Sequence, residues 1–355
     1  MFENFFGNRT AAAALERMIE SGRIAQTILL AGPEGIGKAT LARRFAARLL
    51  ASEAPEEAAE IVRKVEKDDL SLPENRKILE EREKWPSEKR AEEPLFFSSH
   101  PDFVTFCPEG PLRQISIQQM RLARSRAQLR PLKGRWRVFL VDRMDRAGAQ
   151  AADALLKTLE EPPAHLVLVV TAANPFDLPP TVRSRSVIFW LTPLSQAEME
   201  EAARALGWQE ARRRIALAGG CPGVAAALDL EEYERRRALA LAMLEAGAGA
   251  ASFAEWVKAS QGLLAAKSEK LGDYARAMCA LLEDVVLLQS GCGELRNEDL
   301  RARLQRVAER VSFDWLRGAV EQVDEWDGLE RRNVQKAAVA DSFVVRLAGL
   351  ARAAR

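Results

Sequence analysis

A glycine-rich segment, Gly32-Pro-Glu-Gly-Ile-Gly-Lys38, carries the clearest chemistry in the sequence. It follows the apolar run Thr27–Ala31 and precedes the amphipathic stretch Ala39–Leu50, which predicts a strand, a loop and a helix in that order. Backbone N–H groups of such a loop converge on phosphate oxygens, the helix start adds a favourable dipole, and the lysine adds a cation. The candidate nucleotide-binding residues of this phosphate loop are Gly32, Gly35, Gly37 and Lys38.

Two positions separate this loop from a working ATPase site. The full pattern requires Ser or Thr after the lysine to hold Mg²⁺, and this sequence has Ala39. A second buried strand, Val138–Asp142, ends in a carboxylate that could orient a metal ion, so Asp142 is also a candidate nucleotide-binding residue. Hydrolytic relatives commonly carry glutamate next, whereas this chain has Arg143, which stays protonated and cannot accept a proton from water. The residues predict no hydrolysis, and they leave the binding of ATP or ADP open.

Further apolar runs extend an alternating pattern of strands and helices. Strands are predicted at Asp102–Phe106, Leu166–Val170 and Ser186–Leu191, in addition to the two runs above. Helices are predicted between them, one opening at the capping-box pattern Ser116–Gln119 and another over Ala149–Glu160. Strands that alternate with helices predict a parallel sheet covered on both faces, so the fold class is an α/β P-loop domain.

The predicted domain limits follow from where these signals stop. Strand patterns end near Pro193, and only helical patterns follow. We predict an α/β P-loop domain at 1–192, a small helical lid domain at 193–229 and an all-α domain at 230–355. Residues 52–93 carry fourteen acidic and nine basic side chains, and they are predicted to form a solvated, charged insertion in the first domain.

The composition is that of an ordinary globular chain. The 355 residues include 52 basic and 51 acidic side chains, and hydrophobic residues make up 48%. Apolar runs fall short of the roughly 20 residues that span a bilayer, and the N-terminal residues lack the pattern of a secretory signal. The four cysteines form no CxxC pair, so neither a metal site nor a disulfide framework is expected. We expect a reduced, cytoplasmic protein that does not contact a membrane.

Several segments together resemble the clamp-loader branch of the AAA+ superfamily. The most specific is Ala154-Leu-Leu-Lys-Thr-Leu-Glu-Glu-Pro-Pro163, which comes after the second buried strand. The phosphate loop, the helix start at Ile117–Arg121 and the segment Leu178–Ser186 occur in the family's order and spacing. The resemblance is strong over about 1–50 and 98–192. It implies an AAA+ (RecA-like) fold, a ring of subunits, and a C-terminal helical collar whose apolar faces are exposed in the isolated chain.

Departures from the family's gamma/tau motor subunits favour a resemblance to the delta-prime subunits of bacterial DNA polymerase III. Ala39 and Arg143 replace hydrolytic residues, and the segment Gly219–Ala226 lacks the motor's arginine and resembles the Gly-x-Pro-Gly segment of delta-prime subunits. The resemblance implies a non-hydrolysing subunit that requires no cofactor and supports loading of the sliding clamp onto primed DNA. Its implied partners are gamma/tau and delta subunits, with the clamp contacted indirectly or transiently. Many relatives carry a four-cysteine zinc module where this chain has 52–93, so no zinc is expected.

Ser184-Arg185-Ser186 matches the family's arginine-finger position. The resemblance implies that Arg185 reaches into the ATP site of a neighbouring motor subunit and stabilises charge developing on the transferred phosphate. Arg183 is a weaker candidate from the same segment. The alternative interpretation is that Arg185 only makes a local salt bridge.

A basic stretch suggests where DNA could bind. Between Gly110 and Val141 eight side chains are basic and none is acidic, so the near-neutral net charge of the whole chain is an average. Arg121 and Arg124 lie three residues apart at the start of a predicted helix, where related loaders face the phosphates of primer–template DNA. A subunit interface or a solvated surface is the alternative for these two arginines.

Two other functions stay open from the sequence alone. One is an active AAA+ ATPase, either a gamma/tau-like motor subunit or another DNA-remodelling enzyme. The other is a free-standing regulatory binding module.

Overall fold

The structure is a computed structural model, and it describes residues 2, 5–51, 54–265, 271–331 and 334–353. The chain divides into two compact units, Met1–Ala226 and Ala227–Arg355. The finer division of the first unit into an α/β domain and a lid stays a prediction.

Helices and strands alternate through most of the first unit. Its elements are α1 Arg9–Ser21, β1 Thr27–Ala31, α2 Lys38–Leu50, α3 Pro55–Glu66, α4 Pro73–Glu83, α5 Ser87–Glu92, β2 Phe103–Phe106, α6 Ile117–Ala127, β3 Arg137–Val141, α7 Ala149–Glu160, β4 Leu166–Ala172, α8 Pro180–Arg183, β5 Val187–Trp190, α9 Gln196–Leu206, α10 Ala211–Ala218 and α11 Pro222–Ala227. The longer elements of the second unit are helices. They are α12 Leu230–Gly247, α13 Phe253–Ala265, α14 Leu271–Ser290, α15 Arg301–Ala308, α16 Phe313–Arg331 and α17 Lys336–Ala353.

The five strands form one parallel sheet in the order β2-β3-β4-β1-β5, as the alternating pattern predicts. β1, β3 and β4 each lie between two neighbours and are buried along their whole length. Successive side chains enter two different cores: Ile28 and Leu30 join the residues of α1 and α2, while Leu29 joins those of α6 and α7. Burial on both faces explains why these strands are continuous apolar runs in the sequence.

The sheet register brings the phosphate loop and Asp142 to the same edge of the sheet. Ala31 pairs with Ala172 and Val141 with Val170, so the carboxyl ends of β1, β3 and β4 lie side by side. The phosphate loop leaves the end of β1, and Asp142 follows the end of β3. The parallel sheet therefore positions the loop and the carboxylate next to each other.

The predicted capping box at the start of α6 is confirmed. The Ser116 hydroxyl accepts a hydrogen bond from the Gln119 N–H at 3.2 Å, and the Gln119 side chain accepts one from the Ser116 N–H at 2.8 Å. The Gln119 amide also donates to the carbonyls of Leu95 and Cys107, both at 2.9 Å. These bonds fix the helix that carries Arg121 and Arg124.

The segment 52–93 is less solvated than its charge predicts. It forms α3, α4 and α5, and the α3 residues Ile61 and Val65 are buried in the core beside α2. The buried Arg43 of α2 donates to Asp69 at 2.5 Å. Near the end of α4, the Arg82 Nε lies 2.5 Å from the Glu109 carboxylate, and these two side chains are 8% and 3% exposed. Two largely buried arginines therefore tie the insertion to the α/β domain.

The second unit combines a packed interior with exposed apolar side chains. Trp256, Trp315 and Trp326 are almost completely buried, and the Trp256 indole N–H donates to the Asp341 carboxylate at 2.8 Å. Several large apolar side chains nevertheless face outwards. They include Phe253, Val257, Phe313, Val320 and Val345. Exposed apolar side chains of this kind are typical of surfaces that bind other proteins, and the collar stays a prediction.

The Arg82–Glu109 pair generates a stability prediction. We expect Arg82→Ala to lower the free energy of unfolding by about 3–5 kcal/mol, because Glu109 would keep a buried charge without a partner. Urea unfolding at pH 7 measures the loss. Arg113→Ala is the matched control, because its pair with Glu83 is exposed and is expected to contribute at most about 1 kcal/mol. Equal losses in the two variants would contradict this account.

Candidate phosphate loop and arginine finger

The phosphate loop adopts a backbone that requires glycine at particular positions. Gly35 has φ of +75° and Gly37 has φ of +101°, in the region that favours glycine. A Cβ built on Gly35 would lie 2.8 Å from the backbone nitrogen of Val224. Both the dihedral angle and the close approach of another segment therefore exclude a side chain at Gly35.

Lys38 is engaged by the loop itself. Its ammonium group donates to the carbonyl oxygens of Gly32 at 2.6 Å and Pro33 at 2.8 Å, and the residue is 9% exposed. Burial lowers the pKa of Lys38 from its ordinary value, while the nearby carboxylates of Asp142 and Asp145 raise it. In this conformation the cation that would bind a phosphate is satisfied by carbonyls of the protein.

A second segment of the first unit closes over the loop. The Gly223 N–H donates to the Gly35 carbonyl at 2.8 Å, and Val224 packs on Gly35 from the start of α11. On another side, a Cβ built on Gly37 would lie 3.2 Å from the Phe5 ring. The loop is thus covered by residues of its own chain.

Asp142 lies where the second buried strand predicts it, and it is almost fully buried. Its carboxylate accepts a hydrogen bond from the Thr171 hydroxyl at 2.6 Å, and the same hydroxyl accepts one from the Arg143 N–H at 2.8 Å. Burial raises the pKa of Asp142, while the Thr171 hydrogen bond and the cation of Arg143 lower it. Thr171 follows the apolar part of β4, and the register of the sheet brings it beside Asp142.

Arg143, which follows Asp142 at the end of β3, forms an ion pair with the phosphate loop. Its guanidinium lies 3.3 Å from the carboxylate of Glu34, which is the third residue of the phosphate loop. The Arg143 backbone has φ of +58°, so the residue leaves β3 in a left-handed turn towards the loop. The position that a general base would occupy therefore holds a cation paired with the loop.

Arg185 makes a local salt bridge on the surface. Its guanidinium lies 3.2 Å from the Glu160 carboxylate and donates to the Thr181 carbonyl at 3.2 Å. The arginine and glutamate side chains are 36% and 50% exposed. Exposed pairs of this kind contribute about 0–1 kcal/mol, so the guanidinium can leave Glu160 at little cost.

The basic residues of the stretch 110–141 differ in exposure and in pairing. Arg121 and Arg124 are exposed on α6, and neither has an ion-pair partner among the residues that the structure describes. Arg137 is buried, and Arg113 pairs with Glu83. Of this stretch, Arg121 and Arg124 retain an exposed, unpaired charge on a fixed helix.

Three residues that contact the candidate site, Glu34, Gly223 and Thr171, are not among the site residues predicted from the sequence. Glu34 and Gly223 contact Arg143 and Gly35 through tertiary packing, which leaves no local pattern. Thr171 could have been predicted, because a polar residue at the end of a strand next to β3 lies at the edge that holds Asp142.

Comparison with known proteins identifies the family. A family model described as DNA polymerase III, delta subunit, matches residues 7–195, which is more than half of the chain. The chain belongs to the DNA polymerase III delta-subunit family. The sequence resemblance to DNA polymerase III subunits is thereby confirmed, and the fold is the expected α/β P-loop fold with a parallel sheet, followed by helices.

Individual relatives of this family member include both delta' and tau/gamma subunits. DNA polymerase III subunit delta' of Pseudomonas aeruginosa is 32% identical over 219 residues, which is 60% of this chain and 58% of that protein. The tau/gamma subunit of Haemophilus influenzae is 24% identical over 200 residues, or 56% of this chain and 25% of that protein. The matches thus span less than two thirds of the length of either relative.

Solved structures similar to this family member include two from DNA replication. A gamma subunit-related protein of DNA polymerase III from Thermotoga maritima has a TM-score of 0.41 at 16% identity, covering 96% of this chain and 99% of that one. The clamp loader delta protein of Bacillus subtilis has a TM-score of 0.29 at 12% identity, covering 95% and 99%.

The part of the chain that the structure describes shows neither a metal-binding group nor a membrane-spanning helix. Its residues contain no group of three or more His, Cys, Asp or Glu arranged to hold a metal ion. None of its helices is long and apolar enough to cross a bilayer.

The buried carboxyl of Asp142 generates a prediction on pH. Because its pKa is raised above the ordinary 3.8, its protonated form stabilises the fold at low pH, and this contribution is lost as the pH rises through the raised pKa. We expect Asp142→Asn to increase the free energy of unfolding more at pH 7 than at pH 4, because the amide stays neutral at both pH values. Urea unfolding at both pH values measures this difference.

The control for this measurement is Asp153→Asn, which changes an exposed carboxylate on α7. We expect it to alter the stability by at most about 0.5 kcal/mol at either pH. An effect of Asp142→Asn that is the same at pH 4 and pH 7 would be inconsistent with a raised pKa.

Proposed function

We propose that this chain is a non-hydrolysing, delta-prime-like subunit of a DNA polymerase III clamp loader. In this role it supports ATP-dependent loading of the sliding clamp onto primed DNA and donates Arg185 to the ATP site of a neighbouring subunit. Its direct partners are gamma/tau and delta subunits, and it contacts the clamp indirectly or transiently. Family membership supports the clamp-loader assignment, while the finer role rests on the candidate site.

The proposal depends above all on the ion pair between Arg143 and Glu34. A hydrolytic site needs a general base next to Asp142, and here the position holds a permanent cation 3.3 Å from a carboxylate of the phosphate loop. Ala39 in addition supplies no hydroxyl for Mg²⁺. The hydroxyl that would hold Mg²⁺ and the base that would activate water are therefore both missing.

The proposal requires no bound nucleotide. The Lys38 ammonium is satisfied by two carbonyls of the loop, and the Gly35 carbonyl is bound by the Gly223 N–H. A nucleotide would have to replace these bonds and displace Val224 from Gly35. We propose that the loop serves as a rigid structural element, and ATP or ADP binding without turnover is the alternative for this site.

The arginine finger is supported by the position and exposure of Arg185. Its charge lies at the surface and is held only by the exposed Glu160 and by a backbone carbonyl. A neighbouring nucleotide carries more negative charge than one carboxylate, so transfer of the guanidinium to a phosphate is favourable. Arg185 would then supply transition-state stabilisation to a site that this chain does not itself contain.

Contact with primer–template DNA is proposed for Arg121 and Arg124. Both are exposed on α6 without an ion-pair partner in the described part of the chain, which suits contacts with phosphate. Such contacts would be independent of base sequence and would weaken steeply with salt.

A second candidate function is that of an active AAA+ ATPase. It is favoured by the retention of the complete glycine–lysine pattern and of Asp142. Ala39 and Arg143 argue against it.

Turnover by the isolated chain separates the two candidates. We expect the purified protein to release no phosphate from ATP above background in the presence of Mg²⁺ and primed DNA, because the base and the metal-binding hydroxyl are both missing. A coupled phosphate-release assay measures this rate. Turnover that Lys38→Ala abolishes would contradict the proposal and favour the ATPase.

The finger generates a prediction on the assembled loader. Arg185→Ala is expected to leave assembly intact and to reduce turnover at the adjacent ATP site by about 10³-fold or more. DNA-stimulated ATP hydrolysis by a loader reconstituted with gamma/tau and delta subunits measures the effect. Arg204→Ala, which removes an exposed arginine of α9, is the matched control and should hydrolyse at the wild-type rate. A wild-type rate for Arg185→Ala would reject the finger.

A further inference from the structure

Two large aromatic side chains form an exposed pair in the first unit. Phe176 is 69% exposed and Trp190 is 54% exposed, and their ring centroids lie 6.3 Å apart. Phe176 belongs to the 3-10 turn Pro175–Asp177 that follows β4, and Trp190 is the last residue of β5. Contiguous exposed aromatic surface is typical of binding sites rather than of free surface.

An arginine extends this pair. The guanidinium of Arg183 lies 5.0 Å from the centroid of the Phe176 ring, in a cation–π arrangement. Among the residues that the structure describes, Arg183 has no acidic partner, so its N–H groups are available to another molecule. We refer to Phe176, Arg183 and Trp190 as the anchor cluster.

The anchor cluster is rigidly connected to Arg185. Val182 between them is fully buried in the core beside α7, and the N–H of Arg185 donates to its carbonyl at 3.3 Å. On the other side, β5 is hydrogen-bonded to β1, which fixes Trp190. The cluster and the finger therefore belong to one short segment, 176–190, with its ends held by the sheet.

We propose that the anchor cluster is the docking site for the neighbouring ATPase subunit and that it positions Arg185 at that subunit's ATP site. This inference rests on the proposed function. The occupant is a protein surface with an apolar recess for the two rings and a carboxylate for Arg183. Trp, Tyr and Arg are the residue types that contribute most to protein–protein affinity, and the cluster combines Trp and Arg with a second aromatic ring.

The surrounding charges favour a protein over a nucleic acid. Asp177 is exposed in the same turn as Phe176, and Glu160 lies beside Arg185. These carboxylates would repel a phosphate backbone, whereas a protein surface can oppose each of them with its own charge. Arg183 of the anchor cluster is only two residues from Arg185. A subunit that binds Arg185 would therefore also lie close to the anchor cluster.

The anchor cluster and Arg185 are expected to affect two different measurable quantities. The anchor cluster acts on the affinity between subunits, and Arg185 acts on the rate of hydrolysis once they are bound. Titration of the chain into a gamma/tau and delta mixture on primed DNA, followed by ATP hydrolysis, yields both quantities. The half-saturating concentration reports docking, and the maximal rate reports the finger.

We expect Phe176→Ala and Trp190→Ala each to raise the half-saturating concentration about tenfold or more and to leave the maximal rate unchanged. Arg183→Met should also raise it, and with a weaker dependence on salt than in the wild type, because a charged contact is removed. Arg185→Ala should show the opposite result, a lower maximal rate at an unchanged half-saturating concentration. Thermal unfolding of each variant checks that these exposed substitutions leave the fold intact.

The control is Ile78→Ala, which removes an exposed apolar side chain from α4, beside the opposite edge of the sheet. Its titration should match that of the wild type. If the wild-type chain stimulates hydrolysis but Phe176→Ala and Trp190→Ala titrate like Ile78→Ala, the anchor cluster is rejected and the proposed function stands. If the wild-type chain neither assembles nor stimulates, both are rejected.

Two further measurements address other occupants. Sedimentation of the isolated chain tests for a second copy, and binding of a fluorescent oligothymidine tests for single-stranded nucleic acid. Self-association or oligothymidine binding that Trp190→Ala weakens would overturn the proposal. The absence of both self-association and oligothymidine binding in the wild-type chain would support the proposal.

Discussion

The parallel sheet is the constraint on which the candidate site depends. It brings the carboxyl ends of β1, β3 and β4 to one edge, so the phosphate loop, Asp142 and Thr171 meet although they are far apart in the sequence. Burial of the central strands on both faces fixes this register, because a slip by one residue would exchange the side chains of the two cores. The same sheet carries the anchor cluster and Arg185 on the segment that leads from β4 into its edge strand β5.

At that edge the charges are satisfied within the chain. Lys38 is bound by loop carbonyls, Asp142 by the Thr171 hydroxyl, and Arg143 by Glu34. A phosphate loop in a hydrolytic enzyme keeps such groups available for phosphate and metal, whereas here each of them is bonded to another group of the chain. Arg185, in contrast, is held weakly at the surface. The arrangement suits a subunit that is rigid at its own loop and active at its boundary with a neighbour.

The sequence predicts the elements buried on both faces, because uninterrupted apolar runs leave few alternatives. β1, β3 and β4 follow from such runs. The edge strands β2 and β5, the capping box of α6 and the position of Asp142 at a strand end follow from other local patterns, and β5 is partly exposed. Contacts made by tertiary packing cannot be predicted in this way. The Gly223–Gly35 hydrogen bond joins two backbones that approach closely only because both residues are glycine, and only the tertiary fold shows that these two glycines meet. Arg82 lies in the charged insertion and Glu109 in a loop after β2, and each charge by itself predicts an exposed side chain. Only the tertiary fold brings the two together in a buried ion pair.

In the proposed role, this chain assists hydrolysis by a neighbouring subunit without using a site of its own. The most direct test is clamp loading onto primed DNA by a reconstituted loader that contains either no copy of this chain, the wild type, or Asp142→Asn. The substitution removes the carboxylate that any metal-dependent site here would need, while an amide oxygen can still accept the Thr171 hydrogen bond. The account predicts that Asp142→Asn loads clamps at the wild-type rate and that omission of the chain abolishes loading. Loading by Asp142→Asn that falls to the level without the chain would contradict it.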